Sequence, residues 1–255
     1  MSALWTLLAN SWREQLRGRF FPVSLIFGGV ILYMSALLGI LAADQELRVL
    51  LDFGLSAIEI MVCGAVAFTA ATGLLQEIET KTVYLILTRP VSKSAYLTGR
   101  FLGGVSAAVS ATLIMALIHL SLLWLKGWAW SDAYAMALAG VILKALVTAA
   151  VATLLALIST SVLSALLMTG IVWVLGHFIM EIRFLVERGA GSAAKTLAPL
   201  IYVLPNLQIL NFRDRLHVPE AVLPGEPLVS GLLYAVVYSA ACMAFTLALF
   251  RRREF

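Results

Sequence analysis

Of 255 residues, 62% are apolar and 13% charged, where an ordinary globular domain carries roughly 25% charged residues. A soluble chain of this make-up has too little polar surface to cover its core, so the composition excludes a water-solvated domain and points to lipid as the solvent. The net charge of +4 acquires meaning only when it is mapped to the two sides of a membrane, and no nucleic-acid partner is expected.

Residues 1–19 come first. At helical spacing, Leu4, Trp5, Leu8, Trp12 and Leu16 fall in one arc of about 120°, with Thr6, Asn10, Arg13, Glu14 and Arg17 opposite. The pattern predicts an amphipathic helix lying in the membrane interface, anchored by Trp5, Trp12, Arg13 and Arg17. The apolar run that follows is too long for the core of a cleavable signal, about 7–15 residues, and reads as a first span. Residues 20–255 are then one transmembrane domain of six helices: Phe20–Ala43, Phe53–Leu75, Phe101–Leu125, Tyr134–Ile158, Val162–Met180 and Leu228–Phe250. The fold class expected is all-α integral membrane.

Orientation follows from Lys and Arg near the span ends. With the N-terminus inside, the inner side collects Arg13, Arg17, Arg19, Lys81, Arg89, Lys93, Arg100 and Arg251 to Arg253, whereas the short outer loops hold only Arg48 and Lys126. Both termini are expected in the cytoplasm. The outer segment 181–227 is too long for a simple turn. Within it, Leu197–Leu210 is apolar but too short to span and is interrupted by Pro205, which reads as a re-entrant or interfacial piece.

Two ionisable residues lie well inside spans, Glu59 and Lys144. At 1.5 Å per residue they sit about 9–10 Å and about 14 Å from the outer ends of their helices. A lone charge there costs at least about 2.5–3.5 kcal/mol. The pair is therefore expected to meet, or to face a common polar cavity; the alternative for Lys144 is snorkelling to the interface. His119 and His177, near outer span ends, read as hydrogen-bonded packing residues rather than metal ligands. Cys63 and Cys242 sit in apolar runs and fit neither a metal pattern nor a disulfide framework. Small residues spaced by four, as in Gly103, Ala107 and Ala111, let helices pack closely in lipid.

The inner loop 76–100 carries the most information. It reads QEIETKTVYLILTRPVSKSAYLTGR. The second span continues as a helix past the membrane. Pro90 biases Arg89 away from helix and forces a turn, and Ser92 is a fair N-cap for the helix that re-enters. The product is a helix–turn–helix knob with both charge signs and with exposed Tyr and Leu, held by two spans: a docking surface for a cytoplasmic partner. Without a partner, it is a solvated charged loop.

In Glu77, Glu79, Thr82, Leu85, Arg89, Pro90, Val91, Ser92, Lys93, Tyr96, Gly99 and Arg100 the loop resembles the ABC-2 family of ABC-transporter permeases, closest in flavour to the copper-enzyme maturation subgroup. It departs at Lys81, where many members carry Gly. The resemblance implies a permease subunit in a bacterial inner membrane. Two permease chains, as a homodimer, would each dock one ABC ATP-binding subunit, with substrate exported along the dimer interface. Residues Glu77, Glu79, Lys81, Thr82, Leu85, Arg89, Pro90, Ser92, Lys93 and Tyr96 would couple the spans to the ATPase. No cofactor is bound by this chain; ATP and Mg belong to the partner.

One stretch, Gly189 to Thr196, is a residue away from a phosphate-binding loop, but no buried strand precedes it and charge places it outside. Catalysis is not expected: Ser56 and Ser106 follow glycines in weak serine contexts, and no histidine is placed to activate either. A secondary transporter, which would show broken helices or midplane charges in repeated halves, and a membrane scaffold are the competing readings.

Overall fold

The computed structural model describes residues 3–41, 45–80, 92–188, 198–213, 216 and 226–252, with Ala3, Glu79, Glu226 and Pro227 described by their backbone alone. The helices are α1 (Ala3–Arg17), α2 (Phe20–Leu41), α3 (Glu46–Glu79), α4 (Lys93–Leu125), α5 (Asp132–Ile158), α6 (Val162–His177), α7 (Ile179–Glu187) and α8 (Glu226–Arg252). A short helix over 198–203 and a 3-10 turn, Leu207–Leu210, lie between α7 and α8. Five helices, α2, α3, α4, α5 and α8, are long and apolar enough to cross a membrane. A sixth crossing arises if α6 and α7, which meet at a 58° bend, are counted as one broken span. The chain is a multi-pass helical membrane protein.

The elements differ from the sequence reading chiefly in length. Helix α3 runs for 34 residues, about 51 Å, and α4 for 33, about 50 Å, against a hydrocarbon core of about 30 Å. Hydropathy ends a span where charge begins, but Gln76, Glu77 and Glu79 are good helix formers and the helix continues through them. Helix α6 is shorter than expected, 16 residues or about 24 Å, because the chain bends at Phe178. Below, the end carrying Glu77 and Ser92 is the motif end; the other is the far end.

Helix α5 is the centre of the bundle, packed against α3, α8, α4 and α6. Ala145, Ala149, Ala150, Ala152 and Ala156 are all buried on it, and such small side chains let neighbouring backbones approach where lipid supplies no hydrophobic drive. The outer helices keep large apolar side chains exposed, among them Ile26, Phe27 and Val30 on α2 and Leu233 and Val237 on α8. In water this surface would aggregate; in lipid it is solvated.

Helix α1 packs along α4. Gly99 and Gly103 make the contact possible, since a Cβ on either would stand 2.7 Å from Leu7 Cβ and 2.6 Å from Ser11 Cβ. Trp12 Nε1 donates to Ser110 Oγ at 3.2 Å. Trp5 of the apolar arc faces outward, as do Arg13 and Arg17. Ser11, outside that arc, is buried against the glycines.

At the far end, residues 203–213 fill a niche cut by three glycines on three helices. A Cβ at Gly140 of α5 would lie 2.5 Å from Leu210 O, at Gly176 of α6 2.7 Å from Pro205 O, and at Gly231 of α8 2.9 Å from Phe212 Cζ. Leu207, Leu210 and Phe212 are buried there. Non-helical backbone among lipid-crossing helices must find partners, and α8 supplies them. Tyr234 Oη accepts from Asn206 N–H at 2.6 Å, and Tyr238 Oη donates to Val203 O at 2.9 Å. Asn206 Oδ1 accepts from Gln208 N–H at 3.2 Å.

Replacing Gly140 or Gly176 by Ala should destabilise the protein by about 1–3 kcal/mol, the usual cost of overpacking. Gly29→Ala, where a Cβ meets open space, should be neutral or slightly stabilising. Equilibrium unfolding in lipid–detergent bicelles measures both; indistinguishable stabilities for the three variants would sink the niche account.

Candidate functional site

Glu59 of α3 is 2% exposed and Lys144 of α5 1% exposed, with Lys144 Nζ 2.9 Å from both carboxylate oxygens. Two further groups converge on the same carboxylate. His177 Nε2, from the last turn of α6, lies 2.9 Å from Oε1, and Arg213 Nη2, from the far-end segment, lies 2.9 Å from Oε2. Arg213 also donates to Ser56 Oγ, one turn before Glu59, and its Nε reaches Asn211 Oδ1 at 3.2 Å. One buried carboxylate thereby ties three helices to the far-end segment.

His177 Nδ1 lies 2.9 Å from Trp173 O and can only donate to it. In the neutral ring Nε2 is then an acceptor and fits Lys144 Nζ at 3.3 Å. With a second proton, Nε2 donates to Glu59 Oε1 instead. The cluster sets one carboxylate against a lysine, an arginine and a histidine. The arrangement compensates the buried carboxylate and lets protons exchange among its members.

The motif end has its own network. Arg100 of α4 pairs with Glu77 of α3, and Tyr96 Oη donates to the same carboxylate. Gly73, one turn before Glu77, leaves the room in which the guanidinium lies. Tyr96 is buried and stacks on Phe250 of α8, ring centroids 6.1 Å apart. Ser92 is the N-cap of α4, its Oγ accepting from Ala95 N–H at 3.2 Å, and Lys93 opens the helix. The remaining motif positions, Lys81, Thr82, Leu85, Arg89, Pro90 and Val91, and the Glu79 side chain, lie outside the described residues.

A third polar contact joins α3, α4 and α5. His119 Nε2 faces Leu50 O at 3.1 Å, so it must carry the proton, and Nδ1 then accepts from Tyr134 Oη at 2.9 Å. Gly54 leaves the space for the imidazole. Cys63 and Cys242 are unpaired thiols. Among the described residues no three His, Cys, Asp or Glu side chains come together to hold a metal. The stretch Gly189 to Thr196 lies outside the described residues.

Sequence reasoning singled out Glu59 and Lys144 because charge inside an apolar run is visible in one dimension. It treated His177 as a packing residue and did not single out Arg213. Arg213 lies 154 residues from Glu59, in a segment where charge is ordinary, and carries no local signal. A scan against protein-family models finds no match, and no curated protein matches the chain.

Glu59→Gln leaves the buried Lys144 and the half-buried Arg213 facing a neutral amide, and Lys144→Met removes the central donor. Each should cost about 3–5 kcal/mol, the range for breaking a buried pair from one side. The double variant should cost at least 1 kcal/mol less than the sum, the coupling expected of direct contact. Additive losses in unfolding measurements would show that the two residues do not interact.

Proposed function

We propose that the chain is the membrane-spanning subunit of an ATP-driven transporter of the ABC-2 permease type, an exporter in a bacterial inner membrane with both termini cytoplasmic. The observation that carries this reading is the loop 76–100 mounted on α3 and α4. Its residues resemble those of the permease family's docking loop, with a departure at Lys81, and the two helices on either side of it extend well past the length that lipid requires. A docking knob has to transmit force, and a ladder of helix stitched by Glu77, Arg100 and Tyr96 is stiff where that force would enter.

ATP and Mg sit on a separate ATP-binding subunit, two per complex, and a second copy of this chain completes the pathway. The chain itself is not an enzyme. Closure of the ATPase pair pushes the knob, and α3 and α4 carry the displacement into the bundle. Helix α1 then lies at the inner membrane interface, with Trp5 toward lipid and Arg13 and Arg17 toward headgroups. Substrate moves along the interface between the two permease chains.

A second reading, a proton-coupled secondary transporter, draws on one observation: a His, a Lys and an Arg around a carboxylate inside the membrane is the kind of group proton relays use.

Purification in mild detergent distinguishes the two. The transporter reading expects a stoichiometric ATP-binding partner whose ATPase rate rises when it is bound to this chain. Combining Glu79→Lys with Arg89→Glu should release the partner while leaving the thermal midpoint of the membrane subunit unchanged. Arg100→Met should retain the partner but lose at least half of the stimulation. A solitary protein that moves protons with substrate down an imposed gradient would replace the first reading by the second.

A further inference from the structure

The four members of the ionic cluster are not equally accessible. The Glu59 and Lys144 side chains are 2% and 1% exposed, those of His177 and Arg213 19% and 20%. A proton that reaches the cluster meets one of the latter two first, and arginine keeps its charge at every ordinary pH. His177 is left as the entry point, and histidine is the side chain that ordinarily changes charge between about pH 5 and 8.

Every element packed on α6 has to be considered. Helix α3 brings Glu59 and, one turn on beside Trp173, Cys63; α5 brings Lys144; the far-end segment brings Arg213; and α7 brings Glu181, which is exposed. Helix α6 has no ionisable side chain besides His177. Among the described residues the imidazole Nε2 meets two of these groups, Glu59 at 2.9 Å and Lys144 at 3.3 Å.

Those two bonds exclude each other. Nδ1 is committed to Trp173 O at 2.9 Å, so Nε2 alone responds to a proton. Without one, it accepts from Lys144 Nζ. With one, it competes with Lys144 for Glu59 Oε1, which Lys144 Nζ also meets at 2.9 Å. An attraction between α5 and α6 then becomes a repulsion, in surroundings where charge is poorly screened.

The two helices differ in what can give way. Lys144 is sealed within the central helix α5. His177 ends α6, directly before the 58° bend into α7. Its neighbour Gly176 lies so close to the far-end segment that a Cβ would stand 2.7 Å from Pro205 O and 3.0 Å from Leu207 Cγ. A shift of the α6 end therefore bears on residues 203–213. Their backbone is held by few bonds: Asn206 N–H to Tyr234 Oη, Gln208 N–H to Asn206 Oδ1 and Asn211 N–H to Gln208 O, at 2.6, 3.2 and 3.0 Å.

We propose that His177 is a proton-operated latch on residues 203–213. As pH falls, the imidazole exchanges its bond from Lys144 for one to Glu59, the end of α6 shifts from α5, and its hold on the segment relaxes. The relaxed form binds the proton more readily, so relaxation grows as pH falls and reverses as pH rises. The latch requires neither an ATP-binding partner nor a substrate and is independent of both transport readings.

Hydrogen exchange of the full chain in lipid nanodiscs tests this at about pH 8 and about pH 5, read as protection relative to free peptide at the same pH. Protection of the Asn206, Gln208 and Asn211 amides should fall at least about five-fold at the lower pH, while that of the α5 amides stays within about two-fold. His177→Gln, whose amide can face either partner but takes up no proton in this range, should keep the segment within about two-fold at both pH values. Equal protection at the two pH values in the natural chain overturns the proposal. So does a fall that persists in His177→Gln, which would place the proton elsewhere. Nitrogen NMR of the histidine-labelled natural chain needs no variant. It should show a ring protonated at Nδ1 alone at the higher pH, the opposite tautomer to His119, whose Nε2 faces Leu50 O. That ring should gain its second proton at the lower pH; its absence at the higher pH, or its persistence unchanged at the lower, also overturns the latch.

Discussion

A carboxylate buried to 2% exposure inside a lipid-crossing bundle must be surrounded by donors or it does not stay charged, and Glu59 imposes that requirement on everything near it. Lys144 satisfies both oxygens from α5, His177 closes from α6, and Arg213 reaches in from the segment before α8. None of these contacts needs to add net stability over an apolar replacement. Their consequence is that α3, α5, α6 and the far-end segment share one registration, because moving any one strands a charge. The bend at Phe178 belongs to the same arrangement, since it ends α6 at His177 and turns the chain aside.

Helix α3 connects this constraint to the motif end. Glu59 and Glu77 are separated by five full helical turns, about 27 Å, and so lie on the same face. That face meets Lys144 of α5 at one position and Arg100 of α4 at the other. A displacement applied beyond Glu77 cannot be absorbed by rotation of α3 alone without breaking one of the two ion pairs. The helix therefore moves with its neighbours as a body, or exchanges partners at a pair; both are discrete responses, which is what a lever needs.

The parts legible in the sequence were those whose cause is local. Apolar runs located the long helices, and Glu59 and Lys144 announced themselves as charges inside such runs. Ser92, read as an N-cap, caps α4; Ser131 and Ser161, which were not singled out, cap α5 and α6 in the same way. What was not legible depends on chain brought from far away. The glycines at 140, 176 and 231 look like ordinary membrane-helix glycines until residues 203–213 fill the niche they leave. Helix α1 reads as amphipathic from its Trp and Arg pattern, but its contact face is decided by Gly99 and Gly103, some ninety residues on.

The division of small and large side chains decides where the bundle is held. Contacts made by glycine against backbone, as at Gly140 and Gly176, have no side chain to rearrange and fix the far-end segment to α5 and α6 at a single distance. Gly64 and Gly170 face open space instead, while Ala165 and Thr169 of the same stretch of α6 are buried. On α6 the tight and the open glycine are six residues apart, fewer than two turns. The helix is fixed at its far end by the niche and by His177, and at its other end by Ala165, which packs into a buried cluster with Ala71, Leu74 and Leu157.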